Sequence, residues 1–131
     1  RQRTGNKVVQ HEIEPQANSL ALFLDSIDRF RGLPPDTLVL PSHGKPFRGL
    51  HARIRQLHEH HRDRLEEVIQ ACAQRPGSAA DMLPVLFKRK LDLHQTTFAM
   101  GESVAHLHAL WHAGKLRRSK DAEGVWRFAP A

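Results

Sequence analysis

Cysteine is almost missing from this sequence: Cys72 is the single thiol in 131 residues, so no disulfide can form within the chain. That usage suits a reducing compartment, and a cytoplasmic location is the expectation. No apolar run approaches the ~20 residues that a membrane-spanning helix needs, and no signal-peptide core is seen, so no membrane partner is expected. Internal repeats and low-complexity runs are lacking too, which excludes solenoids and composition-biased segments. Nor does the sequence open on methionine; it starts RQRTGNK, polar and charged, in the manner of a trimmed end. A chain of this length buries one modest core or two small ones, and the expectation is a fragment of a larger protein.

What is present is positive charge. Twenty Lys and Arg face fourteen Asp and Glu, giving a net charge of +6, and ten histidines stand ready to add to it in acid. Such a balance suits anionic partners: nucleic acid, acidic proteins, or substrates carried on coenzyme A or glutathione. It does not choose among them.

One stretch organises the rest, TLVLPSHGKPF from Thr37 to Phe47. The run Thr37, Leu38, Val39 and Leu40 predicts a short buried strand, and the Pro-Ser-His-Gly turn after it presents His43 at the strand's C-terminal end. Gly44 supplies the left-handed turn position, while Pro41 and Pro46 pin the flanks. A surface turn that happens to carry a histidine is the plain alternative, because a zinc site needs at least three protein ligands.

Upstream, Val8, Val9 and Ile13 suggest a short strand ending at Glu14 and Pro15. Asn18 or Ser19 can then cap a helix whose apolar positions Leu20, Phe23, Leu24, Ile27 and Phe30 recur at helical spacing, with Gly32 as its stop. From His51 to about Gln74 the spacing predicts the longest helix. Ile54, Leu57, His61, Leu65, Val68, Ile69 and Cys72 form its stripe, which makes Cys72 a buried structural thiol. Beside that stripe lie His51, Arg55, His58 and Arg62, spaced by four, three and four, hence on one face. That face is a candidate grip for an anionic group of a substrate; a solvated basic face is the alternative.

The histidines invite a metal reading that helical geometry resists. His58 and His60 point apart, and a histidine at 62, which the zincin spacing needs, is replaced by Arg62. His106 and His108 diverge likewise. His58 with His61, or His108 with His112, offers only two ligands on a face. Farther on, Ser78 and Asp81 have capping-box spacing ahead of a short helix that Pro84 bends or starts afresh. Leu91 to Thr97 reads as a turn into a third helix over 97–113, with Met100, Val104, Leu107, Leu110 and Trp111 inward and Gly114 as its stop. Lys115 to Ser119 and Val125 to Phe128 then read as a β-hairpin. The expected class is α+β, mainly α with small β elements.

The LPSHGKPF turn, followed by a long helix carrying His60, His61 and Arg62, resembles the C-terminal part of metallo-β-lactamase-fold hydrolases, relatives of glyoxalase II, that bear an appended winged-helix domain. The resemblance spans nearly the whole chain. It implies that residues 1–49 are an α/β remnant of a catalytic domain and that residues 50–131 are the long helix plus a C-terminal winged-helix domain. It implies that His43 is the last metal-ligand histidine; many relatives carry Gly where Ser42 stands. It also implies a parent enzyme in which two divalent metals, zinc or another, generate a hydroxide that attacks a thioester or ester. The family's H-x-H-x-D-H motif has no match here, so the isolated fragment is expected to be inactive and to bind no metal tightly. The expected partners are the missing N-terminal hydrolase domain, a second copy in a homodimer, and an anionic small-molecule substrate of the parent.

Two other classes compete: a winged-helix nucleic-acid binder, and a non-catalytic dimerisation module. In the first, Lys115, Arg117, Arg118 and Lys120 on the hairpin would touch phosphate. However, the helix over 97–113 has no Lys, Arg, Asn or Gln with which to read base edges, so no sequence-specific nucleic acid is expected.

Overall fold

The computed structural model describes residues 17–41 and 44–131. The strand expected around Val8 to Ile13 lies outside the described residues, as do Ser42 and His43.

Helix α1, Ser19–Asp28, forms where the sequence spaces its leucines and phenylalanine at helical intervals, and a 3-10 turn, Arg29–Gly32, tightens its end. Asn18 occupies the N-cap, but its side chain makes no capping hydrogen bond. The chain then crosses to α2, Leu50–Gln74, which starts on Gly49 at φ +85°, a left-handed position that favours glycine. Ile54, Val68 and Cys72 are buried along its stripe. Ser78 and Asp81 form the expected reciprocal box: the Ser78 amide donates to Asp81 Oδ2 at 3.0 Å and the Asp81 amide to Ser78 Oγ at 3.3 Å. Pro84 stands in the first turn of a fresh four-residue helix α3, Leu83–Leu86, where its missing N–H costs nothing.

Two expectations need correction. The third long helix, α4, spans Leu93–His112, four residues earlier than expected, because Asp92 and Gln95 make a second capping box that turns the supposed turn into helix. The strand expected over Thr37 to Leu40 shrinks to one antiparallel bridge between Val39 and Phe47. A strand persists only where a neighbour pairs with it, and among the described residues none does beyond that bridge. Leu38 and Leu40 are accordingly 49% and 74% exposed.

Strands β1, Leu116–Lys120, and β2, Trp126–Pro130, pair antiparallel, with Arg118 opposite Phe128 and Lys120 opposite Trp126. Asp121 shapes the connecting turn by accepting from the amides of Glu123 and Val125. Gly77 adds a bridge to Phe128 through two hydrogen bonds of 2.9 and 2.8 Å, tying the end of α2 to the hairpin. The core gathers Val68 and Cys72 of α2, Met82, Leu107 and Leu110 of α4, Leu116 and Phe128. The architecture is α+β, mostly helical with one small two-stranded sheet.

Helix α4 is the axis of this arrangement. Ala105, His106, Leu107 and His108 are all buried, and four consecutive residues sweep most of a helix's circumference. α1 and α2 cover parts of it and β1 another. Among the described residues no helix is long and apolar enough to cross a membrane.

Candidate functional site

The loop that carries the candidate ligand is built from its base upward. Thr37 returns its amide and hydroxyl to Pro34 O, at 3.1 and 2.7 Å. Val39 and Phe47 exchange amide–carbonyl hydrogen bonds of 2.8 and 3.0 Å, closing the loop like a hasp. Gly44 sits at φ +92°, the left-handed geometry expected of it. Arg48 Nη1 donates to Asp36 O at 2.6 Å and ties the loop's exit to its entry. His43, the candidate ligand, lies outside the described residues.

The four residues of the α2 face divide into two pairs. His51 Nε2–H donates to Leu33 O at 2.8 Å, and His58 Nε2–H donates to Asp28 Oδ1 at 2.7 Å. Both imidazoles therefore fasten the end of α1 and its 3-10 turn to α2. Asp28 also receives Arg31 Nε at 3.0 Å; the His58 hydrogen bond, then the charges of His58 and Arg31, hold its carboxyl below the usual aspartate value. Arg55 and Arg62 remain exposed.

Between α1, α2 and α4 lies a seam of rings. His61 sits 5.9 Å from Phe23 and 5.5 Å from His106, centroid to centroid. Here His61 lies in the inward stripe as expected, but its encounter with His106 joins residues 45 positions apart and has no local signal. His106 Nδ1–H donates to Glu102 O at 2.6 Å. His108 turns the other way, donating its Nδ1–H to Ala17 O at 2.9 Å, and burial pushes its pKa down. No three His, Cys, Asp or Glu side chains among the described residues are grouped to hold a metal ion. Cys72 is buried, and its thiol is pushed up by that burial.

The hairpin cations are equally divided. The Arg118 guanidinium lies 3.7 Å from the Trp111 ring centroid and 4.1 Å from that of Trp126, and Lys120 Nζ stands 5.0 Å from Trp126. Burial lowers the pKa of Arg118. Lys115 and Arg117 are exposed.

A pocket of about 380 Å³, which sequence reasoning missed, opens between α1, the loop base and the first turns of α2. Ile27, Val39, Phe47 and Ile54 are among its walls, and Lys45 and Arg53 also line it. Three separate stretches of chain contribute, so no local pattern announces it.

Comparison with known proteins shows the family of the chain. A family model described as Metallo-beta-lactamase-like, C-terminal domain matches residues 65–131. Among solved structures, a beta-lactamase domain protein from Burkholderia ambifaria is 57% identical over 91% of this chain, with a TM-score of 0.88. A metallo-beta-lactamase family protein from Thermus thermophilus is 28% identical over 87% of the chain, with a TM-score of 0.73. The chain spans 35% and 34% of the lengths of those two proteins. No curated protein matches it. Half of the chain, from the middle of α2 to the last residue, fits the family pattern, and the chain belongs to the metallo-beta-lactamase-like C-terminal domain family.

Proposed function

We propose that this chain acts as the C-terminal part of a metallo-β-lactamase-fold, metal-dependent hydrolase related to glyoxalase II, which cleaves a thioester or ester. The observation that carries the reading is the 57% identity to a beta-lactamase domain protein of which this chain spans only 35%. In this reading residues 1–49 are the last piece of the catalytic domain, and residues 50–131 are an accessory domain of winged-helix type. The succession of α2, α3, α4 and hairpin supports the latter.

His43 is the proposed last metal ligand. Support comes from the loop base, where Val39 and Phe47 exchange hydrogen bonds and Gly44 takes the left-handed conformation expected of it. Among the described residues no three His, Cys, Asp or Glu side chains are grouped to hold a metal ion, whereas a zinc site takes at least three protein ligands. The remaining ligands belong to the upstream hydrolase domain, the proposed partner. Exposed Leu38 and Leu40 supply apolar surface for that partner, or for a second copy of this chain. Arg55 and Arg62 are the two members of the α2 face outside the α1 clamp, and in this reading they meet the anionic part of the substrate.

The experiment is to express the coding sequence together with what lies upstream of Arg1 and to assay zinc content and thioester hydrolysis. An H-x-H-x-D-H motif upstream, and loss of bound metal with a drop of at least ~100-fold in kcat for His43→Ala, are expected. Full activity and metal content in that variant would sink the reading. So would zinc-dependent hydrolysis by the 131-residue chain alone that His43→Ala abolishes.

A further inference from the structure

From the pocket between α1, the loop base and α2, we infer that this chain carries a binding site for a small amphipathic anion: an acyl chain ending in a carboxylate. The inference stands apart from the hydrolase reading, because the pocket is formed by described residues and its test needs no metal.

Three features of the pocket point to that chemistry. Its volume, about 380 Å³, falls in the ~300–1,000 Å³ range of small-molecule sites. Its walls are apolar side chains from three directions: Ile27 from α1, Val39 and Phe47 from the bridged loop base, and Ile54 and Leu57 from α2. Those walls are half-buried or buried, so an alkyl chain laid against them leaves water, at roughly 25 cal/mol for each Å² covered.

The polar groups at the pocket carry one sign. Lys45 and Arg53 line it, both are exposed, and no acidic side chain does so among the described residues. Of the neighbouring cations, Arg31 pairs with Asp28 and Arg48 with the Asp36 carbonyl, while Arg29 and Arg55 are exposed and do not line the pocket. Lys45 and Arg53 make no ion pair or side-chain hydrogen bond with any described residue. Apolar walls with two uncompensated cations at the rim complement a ligand that has an alkyl body and one anionic head. A neutral alkane would use the walls only, and an inorganic anion would use the rim only.

The 131-residue chain is titrated with decanoate, and in parallel with decanol, by heteronuclear NMR and calorimetry. Decanoate is expected to bind once and saturably, shifting resonances of Ile27, Val39 and Ile54, and to bind at least tenfold tighter than decanol. Lys45→Glu with Arg53→Glu should weaken decanoate at least tenfold and leave decanol unchanged. If the reversal disturbs folding by circular dichroism, Lys45→Gln with Arg53→Gln gives the same comparison in smaller degree. Equal affinity for acid and alcohol, affinity indifferent to these substitutions, or shifts confined to other surfaces would overturn the inference. Sedimentation supplies one more check: a dimer through this face that decanoate fails to dissociate would show the pocket to be a self-association surface instead.

Discussion

His58, in the third turn of α2, and Asp28, the last residue of α1, are 30 positions apart in sequence and 2.7 Å apart in space. The carboxylate of Asp28 is held below its ordinary value of 3.8, chiefly by this hydrogen bond. A carboxyl whose folded pKa is depressed contributes stability above its unfolded pKa and loses it as the pH falls through the folded one. The native chain should therefore exceed Asp28→Asn in Tm at pH values above 3.8, and the gap should close as the pH is taken below it. Thermal melts from about pH 2 upward test this, and a gap that persists undiminished at the acid end would show that the ion pair contributes nothing.

A methyl added at Gly77 must displace the tip of Met82. A Cβ placed there would come 2.5 Å from Met82 Cε, and Met82 is only 3% exposed, so its tip has little room to swing away. Gly77→Ala should cost about 1–3 kcal/mol, the usual range for overpacking. In a Met82→Ala background the clash is gone and the added cost should fall by more than half. Denaturant titration of the four-member cycle measures it; an unchanged penalty would place the cost in the backbone instead.

Arg118 joins helix to hairpin. Its guanidinium lies near both Trp111 and Trp126, two contacts that each contribute about 0.5–2 kcal/mol when partly desolvated. Arg118→Ala should destabilise the chain by a similar total of about 1–3 kcal/mol and shift tryptophan emission. Arg118→Lys should recover little, since an ammonium cannot stack as a flat plate does. Full recovery by lysine would show that charge alone matters.

Nucleic acid should bind weakly if at all. Ala105, His106, Leu107 and His108 are all buried in the middle of α4, and its exposed first turns present Leu93, His94, Thr97 and Phe98, with no Lys, Arg or Asn to read base edges. Arg118 is engaged with two indoles, which leaves Lys115 and Arg117 as the exposed hairpin cations outside that stack. Anisotropy titrations should give Kd values of ~10⁻⁴ to 10⁻⁶ M at physiological salt, steeply salt-dependent and indifferent to sequence. Nanomolar preference for one duplex over scrambled competitors would reverse this assignment.

The sequence by itself determined the elements whose causes are local. Leu20, Phe23, Leu24 and Ile27 recur at helical spacing, and α1 forms there. Gly44 takes the left-handed turn its neighbours predict, Ser78 and Asp81 cap each other, and Pro84 opens a helix. Each of these depends on atoms a few residues apart, so a reading of spacing reaches it. The Asp92–Gln95 box is equally local, yet the alternating leucines at 91 and 93 disguise it as an extended turn.

Other features were decided only when distant segments met. Thr37 to Leu40 has the composition of a strand, yet a ladder needs a neighbour, and among described residues only Phe47 pairs with it. His51 and His58 share a face with Arg55 and Arg62, but which of the four meets solvent depends on where Leu33 and Asp28 arrive. His108 reaches Ala17 across 91 positions, and the pocket draws on three separate stretches of chain. Spacing along a helix says which side chains lie together; only packing says what stands opposite them.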